Sequence, residues 1–231
     1  MICVCIREPE YERCKQIVKE TGTGLAEIRM DTADLSADEI GRIFSIPTRL
    51  IATCRPSVKL TDTERIKRLT TAIVAGASYL DIEIDSDRMF KDELIRVARI
   101  QGCNVIISFH DYEKTPPLED MARKMEQCFF EGADIAKISC MVNVKEDNSR
   151  ILALYDVLAG IRFRLDGDPT HPHSLVAVGM GEKGVITRVA APFLGAPFTF
   201  ASPNNCEGTA PGQPSESLLR QVFNILEKTN E

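Results

Sequence analysis

The sequence predicts an α/β protein folded as one (β/α)8 barrel (a TIM barrel) over residues 1–231. Three observations predict it. Eight short apolar or alternating runs recur along the chain, segments of helical period lie between them, and glycines fall where helix should give way to strand.

The runs occupy residues 1–6, 25–31, 49–55, 79–85, 104–110, 134–141, 173–180 and 197–202. After the third, Ile66, Leu69, Ile73 and Val74 recur at helical spacing, and after the fifth Leu118, Met121, Met125, Cys128 and Phe129 do the same. Thr61-Asp62-Thr63-Glu64 reads as a capping box, in which Thr61 accepts from the backbone and Glu64 reaches back. Gly76, Gly102, Gly132, Gly160 and Gly195 each close a periodic stretch, as a left-handed residue after a helix does. Strand, helix, glycine, strand is a βα unit, so consecutive strands should be parallel. Eight such units leave no room for a second domain.

A doubly wound open sheet is the competing arrangement, but its strands are covered on both faces and tend to be apolar throughout. Here Glu27, Arg29 and Asp31 alternate with Ala26, Ile28 and Met30, and Asp81, Glu83 and Asp85 alternate with Leu80, Ile82 and Ile84. One strand face therefore meets helices and the other a polar interior, which a closed barrel supplies.

Composition narrows the function. Lys plus Arg number 28 against 34 Asp plus Glu, and a net charge of -6 argues against nucleic-acid binding. The 44% hydrophobic content excludes a disordered chain, and no stretch offers the ~20 apolar residues that span a bilayer. The most apolar stretch, 189–201, is interrupted by Pro192, Gly195 and Pro197. Arg7, Glu8 and Glu10 break the apolar start, against a secretory signal, so a cytoplasmic location is expected. The eight cysteines include no C-x-x-C pair of the kind that holds structural zinc, and no metal site is expected. Cys3 and Cys5 stand at period two, Cys14 and Cys128 on apolar helix faces; all eight read as reduced, packed hydrophobes.

Lys137 is the first candidate for chemistry. It lies in Asp134-Ile135-Ala136-Lys137-Ile138-Ser139, and burial disfavours its ammonium form, whose pKa in water is ~10.4. A neutral buried amine attacks carbonyl carbon to give a Schiff base. The alternative is a structural pairing with a barrel carboxylate such as Glu83, and spacing alone does not separate the two. His110 ends the fifth run beside Lys137 on the barrel mouth, where it could move protons. Arg29, Arg55 and Arg188 converge on the same mouth and suit a carboxylate or phosphate, with structural ion pairs to Glu27 or Asp81 as the alternative for one of them. Gly179-Met180-Gly181-Glu182-Lys183-Gly184 matches G-x-G-x-x-G but follows the seventh strand rather than the first, so it suggests phosphate binding more than a dinucleotide. His171 and His173 flank Pro172 without partners at metal spacing and read as loop residues.

Six segments together carry a family resemblance: Glu27-Ile28-Arg29-Met30-Asp31, Thr53-Cys54-Arg55-Pro56, Ser108-Phe109-His110-Asp111, Gly132-Ala133-Asp134-Ile135-Ala136-Lys137, Gly184-Val185-Ile186-Thr187-Arg188 and Ala210-Pro211-Gly212-Gln213. In this order they resemble the type I 3-dehydroquinate dehydratases, Schiff-base enzymes of the shikimate pathway. The resemblance implies that Lys137 condenses with the C3 ketone of 3-dehydroquinate, and that His110 removes the C2 proton and then protonates the departing C1 hydroxyl. It implies that Arg188 holds the substrate carboxylate, and that Glu27, Arg29, Arg55 and Gln213 bind hydroxyls or order the site. It further implies a homodimer, and no metal or dissociable cofactor.

The chain departs from the family pattern in three places. Thr209 stands where serine is common, which keeps a hydroxyl. The family usually has an acidic residue four positions after Arg55, followed by two glycines; here those positions are Lys59, Leu60 and Thr61. The carboxylate expected beside the histidine is thus unassigned. The 202–208 loop is longer than in many relatives and is an expected lid. Two other functions compete: a class I aldolase, which would need a phosphate grip or a second lysine, and a non-catalytic barrel binding an acidic metabolite.

Overall fold

The structure, a computed structural model, describes residues 1–21, 24–165, 173–204, 206 and 208–228, with the backbone alone at 162–165. Eight strands form one parallel sheet: β1 (Ile2–Ile6), β2 (Leu25–Arg29), β3 (Arg49–Thr53), β4 (Tyr79–Glu83), β5 (Asn104–Asp111), β6 (Ile135–Met141), β7 (Ser174–Met180) and β8 (Thr199–Ala201). Each falls within one of the eight runs expected from the sequence, allowing for one extra residue on β5. Between and after them lie α1 (Tyr11–Glu20), α2 (Ala37–Phe44), α3 (Asp62–Val74), α4 (Arg88–Ile100), α5 (Leu118–Phe130), α6 (Lys145–Leu152), α7 (Leu154–Leu165), α8 (Val185–Ala190) and α9 (Glu216–Lys228).

The strand order is β7-β6-β5-β4-β3-β2-β1-β8, sequential apart from the step that brings β8 beside β1. A doubly wound sheet would reverse direction in its middle, and this one does not. The sheet is a nearly closed barrel; among the described residues no ladder joins β7 to β8.

Alternation along the strands sets what faces where. Ala26, Ile28, Leu80 and Ile82 point outward and are buried against the helices, together with Leu69 and Ile73 of α3 and Met121, Met125 and Cys128 of α5. Glu27, Asp81, Ser108 and Lys137 are buried on the opposite face, inside the ring. All eight cysteines are free thiols, and all are buried except the half-buried Cys206.

Local signals in the sequence are realised with two exceptions. Thr61 caps α3, accepting from the Glu64 amide at 3.3 Å, while the Glu64 carboxylate takes the Thr61 amide at 2.7 Å. Gly76, Gly102, Gly132 and Gly195 turn the chain at φ between +66° and +113°. Gly160 does not close a helix but lies within α7, which continues past it to Leu165. Val74, assigned to the apolar face of α3, is exposed at the helix end. Asp166, Asp168, Pro169, His171 and Pro172, with positions 205 and 207 of the 202–208 loop, lie outside the described residues. His173 packs edge-on against Phe129, their ring centroids 4.7 Å apart. Among the described residues no helix is long and apolar enough to cross a membrane.

The Thr61 box stitches the start of α3, which follows directly on the β3 loop bearing Arg55. Replacing Thr61 by Ala should cost about 1 kcal/mol of stability. Thermal unfolding followed by circular dichroism should register this as a Tm lower by roughly 2–4 °C.

Candidate active site

The inward side chains of β2, β3, β4, β5 and β6 meet at the C-terminal mouth of the barrel, where a cleft of about 460 Å³ opens. Glu27, Arg29, Arg55, His110, Lys137, Arg188, Thr209 and Gln213 all line it, so every candidate from the sequence is brought to one place. Cys5, Tyr112, Ser139, Met180 and Phe200 complete much of the wall. From the sequence Cys5 reads as a packed thiol, Ser139, Met180 and Phe200 look like ordinary strand residues, and Tyr112 follows the end of β5 without a motif to mark it.

Lys137 sits mid-strand on β6 and is only 6% exposed. Its ammonium lies 2.9 Å from Asp81 Oδ2, 3.9 Å from Glu27 Oε1 and 4.2 Å from the centre of the Phe200 ring. The partner is thus Asp81, not Glu83 as the structural alternative suggested. This changes the electrostatics expected from sequence. Burial alone would push the lysine pKa down, but the carboxylates of Asp81 and Glu27 outweigh it, and the group is raised above its ordinary value. The resting amine is therefore an ammonium, held by charges that single-chain spacing did not reveal. Asp81 is lowered for the matching reason: burial opposes its charge, and Arg55 and Lys137 more than offset that.

Arg55 ties this cluster together. It donates to Asp81 Oδ2 at 2.8 Å and to Ser108 Oγ at 3.1 Å, and pairs with Glu83 Oε1 at 3.0 Å. Ser108 also donates to Asp81 at 2.7 Å, and Thr53 donates to Glu27 at 2.8 Å. Arg29 grips Asp31 through two bonds of 2.8 and 3.0 Å. Two of the three arginines are therefore ion-paired, where one was expected.

His110 stands one rung above Lys137 on the neighbouring strand, since Ser108 pairs with Lys137 and His110 with Ser139. Its Nδ1 lies 2.9 and 3.1 Å from the two Glu83 carboxylate oxygens. Lys59, at the position where an acid was expected, is exposed on the β3–α3 loop. Burial pulls the His110 pKa below its usual value, and the Glu83 carboxylate only partly opposes this. The ring is thus neutral at pH 7.

Arg188 differs from the other two arginines. It projects from α8, is 2% exposed, and among the described residues no carboxylate pairs with it. Its Nε has no hydrogen-bond partner, and burial pushes its pKa down to about 10. A buried cation without a counter-ion is costly unless a ligand supplies the charge.

The glycine-rich segment after β7 serves packing. The Gly181 amide donates to the Pro211 carbonyl, Gly184 to Gly181, and Gly179 to Thr187 Oγ1. These three glycine amides are therefore not donors for the phosphate that the pattern suggests. A Cβ on Gly212 would lie 2.3 Å from the Gly181 carbonyl, so the 208–213 segment lies directly against this loop. It carries Gln213, whose Oε1 accepts from Thr209 at 2.7 and 2.9 Å, and whose Nε2 meets Cys5 Sγ at 3.1 Å.

Fold and cleft together define a parallel-barrel protein with a buried, ion-paired lysine at the C-terminal mouth, and a buried arginine there that is unpaired among the described residues. The type I 3-dehydroquinase family model matches residues 2–230. A 3-dehydroquinate dehydratase of Methanosarcina barkeri is 30% identical over 98% of this chain and 94% of its own. The chain belongs to the type I 3-dehydroquinase family. The fold is also that of a type I 3-dehydroquinate dehydratase from Clostridium difficile (TM-score 0.82, 23% identity, 99% of this chain and 92% of that one). A Geobacillus kaustophilus 3-dehydroquinate dehydratase gives a TM-score of 0.83 at 22% identity, over 100% of this chain and 92% of that one.

The unpaired arginine has a measurable consequence of its own. Arg188→Met removes a buried lone charge and should raise the unliganded Tm, by the equivalent of about 1–3 kcal/mol. Differential scanning calorimetry without ligand checks it.

Proposed function

We propose that this chain dehydrates 3-dehydroquinate to 3-dehydroshikimate through a Schiff base on Lys137. The observation that carries the reading is that one cleft holds a buried lysine, a neutral histidine beside it and a buried arginine with no counter-ion among the described residues. Family membership supplies the substrate; the site supplies a role for each group.

The substrate is an anion with a ketone, and Arg188, which has no carboxylate partner among the described residues, holds its carboxylate. Lys137 rests as an ammonium, so it must lose a proton before it can attack. Asp81 and Glu27 hold that proton by charge but are poor bases, since both carboxyls lie below their usual range. His110, neutral and adjacent, takes the proton. The freed amine adds to the C3 carbonyl, and the His110 imidazolium protonates the carbinolamine oxygen, which leaves as water. The iminium draws electrons from C2, and His110 accepts the C2 proton. The resulting enamine expels the C1 hydroxyl, which takes that proton from His110 and leaves as water. Addition of a water molecule to the imine then releases 3-dehydroshikimate and regenerates the lysine. The charged form of Lys137 favours the iminium as well, because Asp81 and Glu27 stabilise either cation.

Glu27, Arg29, Arg55, Thr209 and Gln213 bind hydroxyls or order the groups that do. Thr209 keeps the hydroxyl expected of serine there, already turned to Gln213. An aldolase acting on a phosphorylated substrate fits less well, because the loop's three glycine amides are already bonded within the protein. The same reading carries a cytoplasmic homodimer, supported by family membership.

Lys137→Ala should abolish turnover, followed as the absorbance of the conjugated enone of 3-dehydroshikimate; near-normal rates would overturn the assignment. His110→Ala should slow turnover by about 10²–10⁴-fold. It should still allow some borohydride-trapped adduct on Lys137, detected by peptide mass spectrometry. Arg188→Met should raise KM at least tenfold, even as it stabilises the free protein.

A further inference from the structure

The acidic residue expected near the histidine is absent from the loop after Arg55, where Lys59 stands exposed. The barrel interior offers another carboxylate. We propose that Glu83, at the C-terminal end of β4, is the positioning residue of His110 in this chain and takes over the place left by Lys59.

The geometry is specific. Both Glu83 oxygens lie within 3.1 Å of Nδ1. An ionised carboxylate only accepts hydrogen bonds, so Nδ1 must carry the hydrogen and Nε2 keeps its lone pair for proton transfer. Glu83 stays ionised because Arg55, 3.0 Å away, offsets the burial of its charge. Arg55 is in turn fixed by Asp81 and Ser108, and Asp81 holds Lys137. One unbroken circuit therefore runs from Lys137 through Asp81, Arg55 and Glu83 to His110. The histidine is oriented by the same network that holds the lysine.

The remaining charges facing His110 are those of Arg55 on the β3 side and Lys137 on β6, both of which oppose its protonation, while the Tyr112 ring stacks on it at 5.8 Å. Glu83 is thus the carboxylate in contact with the imidazolium formed during turnover. It stabilises that ion and fixes the tautomer without touching substrate. The inference rests on the dehydratase reading, and the experiment keeps the two apart.

The test is the pH dependence of kcat and KM for the wild type and for Glu83→Gln, Glu83→Asp and Lys59→Ala, with borohydride trapping of the adduct. Glu83→Gln should lower kcat by about 10²-fold with KM within about threefold. Its acid limb should move to lower pH, because imidazolium loses its counter-charge, and the adduct on Lys137 should still form. Glu83→Asp should recover part of kcat, and Lys59→Ala should stay within about twofold of wild type. An unmoved acid limb in Glu83→Gln, a defect confined to KM, or a Lys59→Ala enzyme as slow as Glu83→Gln would overturn the proposal. Should Glu83→Gln fail to fold by circular dichroism, a Glu83→Asp enzyme indistinguishable from wild type in kcat would overturn it equally. A wild type without turnover would sink the dehydratase reading instead.

Discussion

The contact on which the site depends is the one between Lys137 and Asp81, buried in the barrel interior at 2.9 Å. An ammonium there is tolerable only because two carboxylates face it, and the carboxylates only because Lys137 and Arg55 face them. Each charge taken alone would be expelled or neutralised. Removing one member leaves the others uncompensated, which usually costs more than the pair contributes. Such an array needs strands that place alternate side chains at fixed depth on one face, and adjacent parallel strands supply that. Registers such as Ser108 with Lys137 and Thr53 with Asp81 set which charges meet.

Balanced charges hold the reactive lysine, and an unbalanced one awaits the substrate. Arg29 and Arg55 are occupied by internal carboxylates, so the attraction left for an anion is concentrated on Arg188. A site that satisfied Arg188 internally would be more stable and would bind an acid less well, the usual exchange of stability for binding. The position of Arg188 on the short helix after β7, not on a strand, lets it reach the cleft from the opposite side to the lysine's carboxylates.

Much of this was legible in the sequence because it is written in local periods. The eight strand runs, the Thr61 capping box and the inward alternation of Glu27 and Asp81 depend on near neighbours along the chain. What escaped depends on partners far apart. That Lys137 meets Asp81 and not Glu83 is decided by the stagger between β4 and β6 across β5, which no spacing within one strand encodes. The ammonium state of Lys137 is hidden in the same way, since burial is visible from its apolar flanks and the two counter-charges are not. Gly160 misled because a glycine inside α7 and a glycine ending a helix look alike until the next turn signal is placed. Family resemblance puts the carboxylate beside His110 in the loop after Arg55, whereas Glu83 comes from a strand.

The glycine-rich segment illustrates how one pattern serves two physical ends. Its spacing suits a loop that wraps phosphate, but its glycine amides here bond backward to the protein. The barrel has a seam: no ladder joins β7 to β8 among the described residues. After β8 the chain runs out and returns so that Ser202 bridges to Ser215, and in between it presses Pro211 and Gly212 onto Gly181. A side chain at Gly212 would hold the two backbones apart and one at Gly181 would crowd Met141, and both residues sit at positive φ, which side chains disfavour. Their absence lets a strap of chain lie across the mouth of the seam, and that strap delivers Thr209 and Gln213 to the cleft. Covering the seam between β7 and β8 and supplying Thr209 and Gln213 to the cleft wall are therefore accomplished by the same contact.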